Sequence, residues 1–353
     1  MKRHRRDSIY QPFILILVCC CIPLFFLSCT PEVAPNNSVA KAFYFWKQEY
    51  NLTAAEREVM KDHAITRLYI KLFDVKKSPN GPIPVAEVSM DSASIIASVE
   101  YIPTVFITEA AISSTSWEMI DTLAKRIFNK IDRISEKNKL HPKEIQLDCD
   151  WTRSTKEKYF ALVRSIKSLA AAKGIITSCT IRLHQIKYRG ETGIPPADRG
   201  MLMFYNMSDW RSASTKNSIF DADKAEKYVL YIKDYPLTLD CALPIFRWSI
   251  AYRSGKVLSI LSSVDRSAFT SNSEFEVDGS RFRVSRDTIA YGIKLEAGDS
   301  IRPESCDARE LAQWSQRIQA LLPKNQRSFA LYHLDSVTLS HYSYEDLEHL
   351  FPR

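Results

Sequence analysis

Apolar and polar positions along this chain follow two rhythms. Stretches in which every second residue is apolar, or in which several apolar residues run together, fall at 41–46, 65–75, 102–108, 144–150, 176–184, 201–206, 240–246 and 328–335, and they predict β-strands. Between them, apolar residues recur at helical spacing over 53–63, 116–137, 154–172, 221–235 and 307–322, which predicts helices that each bury one face. Eight strands alternating with helices in a body of roughly 310 residues fit an α/β architecture of the (β/α)8 kind, the TIM barrel, with insertions. A doubly wound open sheet is the runner-up. It ordinarily has a glycine-rich turn after its first strand, and none follows 41–46.

Two segments depart from these rhythms. In 248–306, "WSIAYRSGKVLSIL" and "FEVDGSRFRVS" read as hairpins, the second turning at Asp278-Gly279, so a β-rich insertion after the seventh strand is expected as a wall or lid over the barrel mouth. At the other departure, "MKRHRRDS" is a basic leader followed by a 15-residue apolar run at 13–27, shorter than the roughly 20 residues a spanning helix needs. The run ends in "FFLSC", which resembles the lipobox of bacterial lipoproteins. That resemblance implies cleavage after residue 28 and lipid on Cys29; an uncleaved signal anchor and an ordinary secretory signal are the alternatives. Residues 29–40, "CTPEVAPNNSVA", then form a tether and 41–353 the barrel domain. A lipid on Cys29 would make a membrane of the cell envelope a partner, and Thr30, with no acidic cluster after it, points to the periplasm-facing side of the outer membrane.

Charge and cysteine usage change once this leader is set aside. The net charge is +7, of which Lys2, Arg3, Arg5 and Arg6 less Asp7 supply +3. The remaining body carries no basic run interleaved with aromatics, which argues against nucleic acid as a partner. Cys149, Cys179, Cys241 and Cys306 remain of the eight cysteines; the first three lie in apolar strand-like runs and are expected as free, buried thiols rather than disulfides. Their spacing fits no zinc pattern, no two histidines stand at ligating spacing, and the nine glycines make no phosphate-cradling turn, so neither a metal nor another cofactor is expected.

In a barrel of this kind, sites form at the C-terminal strand ends. The stretch "EIQLDCDWT" at 144–152 is the most telling, because period two sets Gln146, Asp148 and Asp150 on one face and Ile145, Leu147 and Cys149 on the other. Two carboxylates on one face are costly unless they do chemistry or meet cations. The fifth strand offers the match, with Ser178, Thr180, Arg182 and His184 on one face. Glycoside cleavage needs two carboxyl groups; Asp150, at the mouth, and Glu109, just past the neighbouring third strand, are the pair that position favours, with Asp148 one layer deeper. Trp46, Tyr205, Trp248 and Trp210 are candidate platforms for sugar rings, and Arg182, His184 and Asn206 candidate hydroxyl partners.

"LDCDW" resembles the fourth-strand signature of chitinase-type barrel glycosidases. There, alternating aspartates and a tryptophan precede a glutamate that protonates the leaving oxygen. Asp148, Asp150 and Trp151 match, Ile145 replaces the first aspartate, and Thr152 stands where the glutamate would be. More broadly, "IQLDCDWT" with "KEKYFALVRSIK", "TIRLHQ", "MFYNMSDW" and "LDCALPIFRW" is similar, over about residues 140–250, to a family of uncharacterised bacterial lipoproteins with a glycoside-hydrolase-like barrel; that resemblance implies the fold and no particular activity. The sequence-based expectation is therefore an exported, lipid-anchored barrel that hydrolyses a glycan at its mouth. The alternative is a glycan-binding or structural lipoprotein without catalysis, and a partner in a membrane assembly is a third possibility.

Overall fold

In the computed structural model, residues 39–352 are described. The leader, Cys29 and nearly all of the tether lie outside the described residues.

Eight parallel strands close into a ring: β1 (Ala40–Phe45), β2 (Arg67–Lys76), β3 (Glu100–Ile107), β4 (Glu144–Asp148), β5 (Ile176–Arg182), β6 (Arg199–Met203), β7 (Leu239–Pro244) and β8 (Ser328–Tyr332). Each pairs with the next in sequence, and β1 pairs with both β8 and β2 to complete the barrel. The main covering helices are α1 (Ala54–Asp62), α2 (Ile120–Lys137), α3 (Lys156–Ala171), α4 (Ala222–Val229) and α5 (Ala308–Gln319). In α2, Ile120, Leu123, Ala124, Ile127, Phe128, Ile131 and Ile134 are buried, a stripe of three-and-four spacing that packs against the outer face of the strands. The start of α1 is set by Thr53, whose hydroxyl accepts from Glu56 N while the Glu56 carboxylate accepts from Thr53 N, a reciprocal cap.

Strand β4 shows why a run of polar residues can sit inside a barrel. Its outward residues, Ile145 and Leu147, are buried against the helices. Its inward residues lie in successive layers, and each has partners. At the bottom, Arg67 Nη2 bonds Glu144 at 3.0 Å and Glu100 at 3.1 Å, with Nη1 on Ser328; beside them Arg199 grips Asp240 through two bonds of 2.9 and 3.2 Å. One layer up, Tyr44 donates to Gln146 at 2.6 Å and Gln146 to Ser178 at 3.3 Å. Asp148 forms the top layer. Such groups are tolerated inside only because cations and hydroxyls meet them.

Seven of the eight predicted strands run past their true ends, and two of these overruns bear on the site. The chain leaves the sheet at Asp148 and at Arg182, because Arg182 N donates to Gln185 Oε1 at 2.8 Å and opens the helical turn Leu183–Lys187. His184 thereby leaves the inward face and becomes exposed on the rim. The segment after β7 forms a separate five-stranded antiparallel sheet, from Trp248–Arg253 to Ser300–Glu304, with its own apolar core that includes Phe269, Phe282 and Ile301. The late helix Tyr344–Leu350 escapes the sequence reading. All four cysteines of the described residues are free, three buried and Cys306 partly so.

Candidate functional site

The residues at the C-terminal ends of the strands enclose an open cleft of about 300 Å³ lined by Trp46, Phe106, Asp148, Asp150, Arg182, Tyr205, Asn206, Phe246, Arg247, Trp248, Tyr332 and His333, with Ser262 and Ser263. Its position follows from the fold: β1, β4, β5, β7 and β8 end there, and the first strand of the insertion starts there with Trp248.

One wall is aromatic. Ring centroids run from Trp46 to Tyr332 at 5.7 Å, from Tyr332 to Phe246 at 5.6 Å and from Phe246 to Trp248 at 5.3 Å, with Tyr205 5.4 Å from Tyr332. Facing solvent through the cleft, such an arc offers flat apolar surfaces with polar edges. Lys71 Nζ lies 5.6 Å from the Trp46 ring and 3.1 Å from Asp74 Oδ1, so the arc ends on a buried ion pair.

Opposite it stands the acid pair. Asp148 is only 5% exposed; Thr180 Oγ1 donates to it at 2.7 Å and Arg182 Nη2 stands 3.8 Å away. Burial raises the Asp148 pKa, Arg182 and the Thr180 hydrogen bond oppose the rise, and the charges of Asp150 and Asp74 add to it. The Asp150 side chain is 57% exposed and accepts from Arg182 Nε. Against the cost of burial, these two aspartates raise the guanidinium pKa, so its charge is permanent. Two further nitrogens of residues lining the cleft, Arg247 Nε and His333 Nδ1, are buried without a hydrogen-bond partner among the described residues; burial lowers the His333 pKa and favours its neutral form.

Most of the sequence-derived candidates therefore meet: Asp148, Asp150, Arg182, Tyr205, Asn206, Trp46 and Trp248 share the cleft. Glu109 does not. The chain leaves β3 through Thr108, whose hydroxyl accepts from Ala111 N, and Glu109 becomes the first residue of the short helix Glu109–Ser114. It does not line the cleft, and the space beside Asp150 is occupied by Arg182. Thr152 is exposed and its hydroxyl is within hydrogen-bond distance of Ser154 and Thr155. His184 and Trp210 line a second lobe of about 570 Å³, which shares Asp150, Arg182, Tyr205, Asn206 and Trp248 with the first. Phe106, Phe246 and Tyr332 were not legible as site residues. They sit in apolar strand runs, and nothing in period two separates a ring facing the mouth from one in the core. Among the described residues, no group of three or more His, Cys, Asp and Glu side chains is placed to hold a metal.

Known structures of low sequence identity share this closed eight-stranded barrel. The chitinase of Chromobacterium violaceum ATCC 12472 is similar over 90% of this chain and 100% of that one, at 10% identity and a TM-score of 0.56. The spore cortex-lytic enzyme SleL of Bacillus cereus is similar over 89% and 74%, at 15% identity and 0.53. The chitinase-like agglutinin RobpsCRA of Robinia pseudoacacia is similar over 87% and 98%, at 12% identity and 0.51. At these identities the likeness is one of fold. No family model matches the chain, and no curated protein does.

Proposed function

We propose that this protein recognises a glycan containing N-acetylated amino sugars at its barrel mouth, and that binding rather than cleavage is its principal activity. The observation that carries the reading is the aromatic arc facing the Asp150–Arg182 couple across an open cleft. Sugar rings stack on aromatic faces through their apolar sides. A secondary amide presents a donor and an acceptor side by side, which suits an exposed carboxylate adjacent to a guanidinium whose terminal nitrogens have no hydrogen-bond acceptor among the described residues. The fold's likeness to a chitinase and to a chitinase-like agglutinin supports the same substrate class.

Two features weigh against hydrolysis as the main activity. Thr152 stands where the chitinase-type signature has its proton donor, and a threonine hydroxyl does not ionise near neutral pH. The second carboxylate expected from Glu109 is missing from the cleft, and a positive charge takes its place. Hydrolysis remains the second reading because of Asp148, whose carboxyl pKa is raised by burial and which lines the same cleft as the exposed Asp150, and glycosidases act through paired carboxyl groups.

The reading extends to location: the lipobox-like "FFLSC" supports export and lipid attachment at Cys29, on a membrane of the cell envelope. A panel of oligosaccharides, assayed in parallel for binding and for released reducing ends with the wild type and Asp150→Asn, tests the function. Saturable binding weakened in Asp150→Asn, with no Asp150-dependent cleavage, is expected. Cleavage that disappears in Asp150→Asn or Asp148→Asn would establish the second reading instead. Cys29→Ala should move the protein from the membrane to the soluble fraction of cells.

A further inference from the structure

Residues 207–218 after β6 form a loop that closes on itself, since Asn206 N donates to Ile219 O at 2.8 Å. It carries Trp210, which lines the second lobe of the cleft with Arg211 stacked 4.3 Å from its ring centroid. One end of the loop is held by α4, where Lys224 Nζ donates to Ser208 Oγ at 2.6 Å; further support comes from the insertion. In that sheet Trp248 pairs with Glu304 and Ile250 with Arg302 across two antiparallel strands, so Trp248, Tyr252, Arg302 and Glu304 share one face, while Ala251 and Ile301 point to the insertion's own core.

The charged pair on this shared face is almost wholly buried. Arg302 is 1% exposed and Glu304 2%. Arg302 Nε donates to Glu304 Oε1 at 2.5 Å, and its two terminal nitrogens donate to three loop carbonyls: Ser212 O at 2.8 Å, Thr215 O at 3.0 Å and Trp210 O at 3.1 Å. Tyr252 adds a bond to Trp210 O at 2.7 Å. The other Glu304 oxygen accepts from Ser218 N at 2.8 Å, from Ser218 Oγ at 2.5 Å and from the Trp248 indole N–H at 2.9 Å. One buried ion pair therefore holds both ends of the loop and the edge of a cleft tryptophan. A pair of hydrophobic residues would anchor the sheet to the barrel at less cost in desolvation; what the charges add is direction, because a guanidinium fork and a carboxylate fix the carbonyls and the indole they bond.

We propose that Arg302 and Glu304 are positioning residues for ligand binding: they lock the insertion to the 207–218 loop and so hold Trp248 and Trp210 as the two walls of the second lobe, which receives the further sugars of a chain that begins in the first. This rests on the glycan reading above for the identity of the ligand, and on the contacts alone for the lock. Arg302 itself does not line either lobe.

The double substitution Arg302→Met with Glu304→Gln removes both charges together, which avoids leaving one of them buried alone, and keeps an acceptor for the Trp248 indole. Tyr252→Phe is the milder second variant, deleting a single bond to the loop. Amide hydrogen exchange on the free full chain, and affinity for the trimer and hexamer of N-acetylglucosamine, are measured for each. In the double variant, exchange within 207–218 should speed up while the barrel strands keep their wild-type protection, and the hexamer should lose about tenfold in affinity, a loss of the size that one misplaced aromatic anchor gives, with the trimer nearly unchanged. Tyr252→Phe should show the same pattern at smaller size. Unchanged exchange in 207–218, or equal losses for trimer and hexamer, would overturn the proposal. If the wild type binds neither oligomer, the glycan reading fails, and faster exchange confined to the loop still decides for the lock and unchanged exchange against it.

Discussion

Replacing Arg182 by Gln removes the cation that Asp148 and Asp150 share, and the structure says how much that should cost. Asp150 is exposed and its part in an ion pair of this kind is small, about 0–1 kcal/mol. Asp148 is 5% exposed with the guanidinium 3.8 Å away, where the attraction at an effective dielectric near 20 is about 4 kcal/mol. The loss cannot reach that figure at every pH, because the carboxyl can take a proton instead. From an ordinary value near 3.9, holding a proton costs about 4 kcal/mol at pH 7 and about 1.5 kcal/mol at pH 5. The folded-state pKa of Asp148 is already raised by burial, so the proton is closer to hand and both ceilings drop. A raised carboxyl pKa means the folded protein binds the proton more tightly than the unfolded chain. Its stability is therefore greatest below the unfolded value and declines as pH rises through the window up to the folded value. Losing Arg182 moves the upper edge of that window higher and steepens the decline. Urea unfolding of the wild type and Arg182→Gln at pH 7.5 and pH 5 should give a destabilisation of about 2–3 kcal/mol at the higher pH and under about 1 kcal/mol at the lower. Adding Asp148→Asn should abolish the difference between the two pH values. A destabilisation equal at both, or one that Asp148→Asn leaves pH-dependent, would refute the argument that Arg182 compensates a buried acid.

Three further outcomes are expected. Asp150→Asn should weaken oligosaccharide binding by about tenfold, as loss of a charged hydrogen-bond partner does, yet change the unfolding free energy by less than about 1 kcal/mol; a large loss of stability would mean that Asp150 is structural. Gly200→Ala, in β6, should destabilise by about 1–3 kcal/mol, because the added Cβ would lie 2.8 Å from Leu239 Cδ2 and 2.9 Å from Ile181 Cγ1, and chemical denaturation measures it. Thr180→Val keeps shape but deletes the 2.7 Å bond to Asp148; it should cost about 1–3 kcal/mol at pH 7.5 and less at pH 5, since the unpaired carboxylate can then be relieved by a proton.

The barrel was legible because each strand and helix announces itself locally. The alternation of 144–150 and the stripe of α2 are properties of a few consecutive residues, and closure of the ring follows from the count of strands. The direct partners of Asp148 were legible for the same reason: Thr180 and Arg182 share a strand face, and neighbouring parallel strands bring equal heights together. Glu109 stands outside the cleft and His184 in its second lobe because a single hydrogen bond ends a strand just before each. Once Thr108 or Gln185 turns the chain into a helix, period two no longer says where the next side chain goes. The aromatic arc was only partly visible, since Trp46, Tyr205 and Trp248 sit beside polar residues whereas Phe246 and Tyr332 look like core. The Arg302–Glu304 pair was invisible, because its partners on the 207–218 loop lie some 90 residues away in the chain and are backbone carbonyls, which carry no sequence signal.

The proposed ligand of the barrel mouth is a chain of N-acetylated amino sugars lying against the aromatic arc. Calorimetric titration of the tetramer of N-acetylglucosamine into the wild type and Trp248→Ala, both confirmed folded by their unfolding transitions, addresses it most directly. Saturable one-to-one binding by the wild type is expected, with a loss of about tenfold or more on removal of the Trp248 ring. No heat of binding in the wild type, or the same affinity in both proteins, would contradict it.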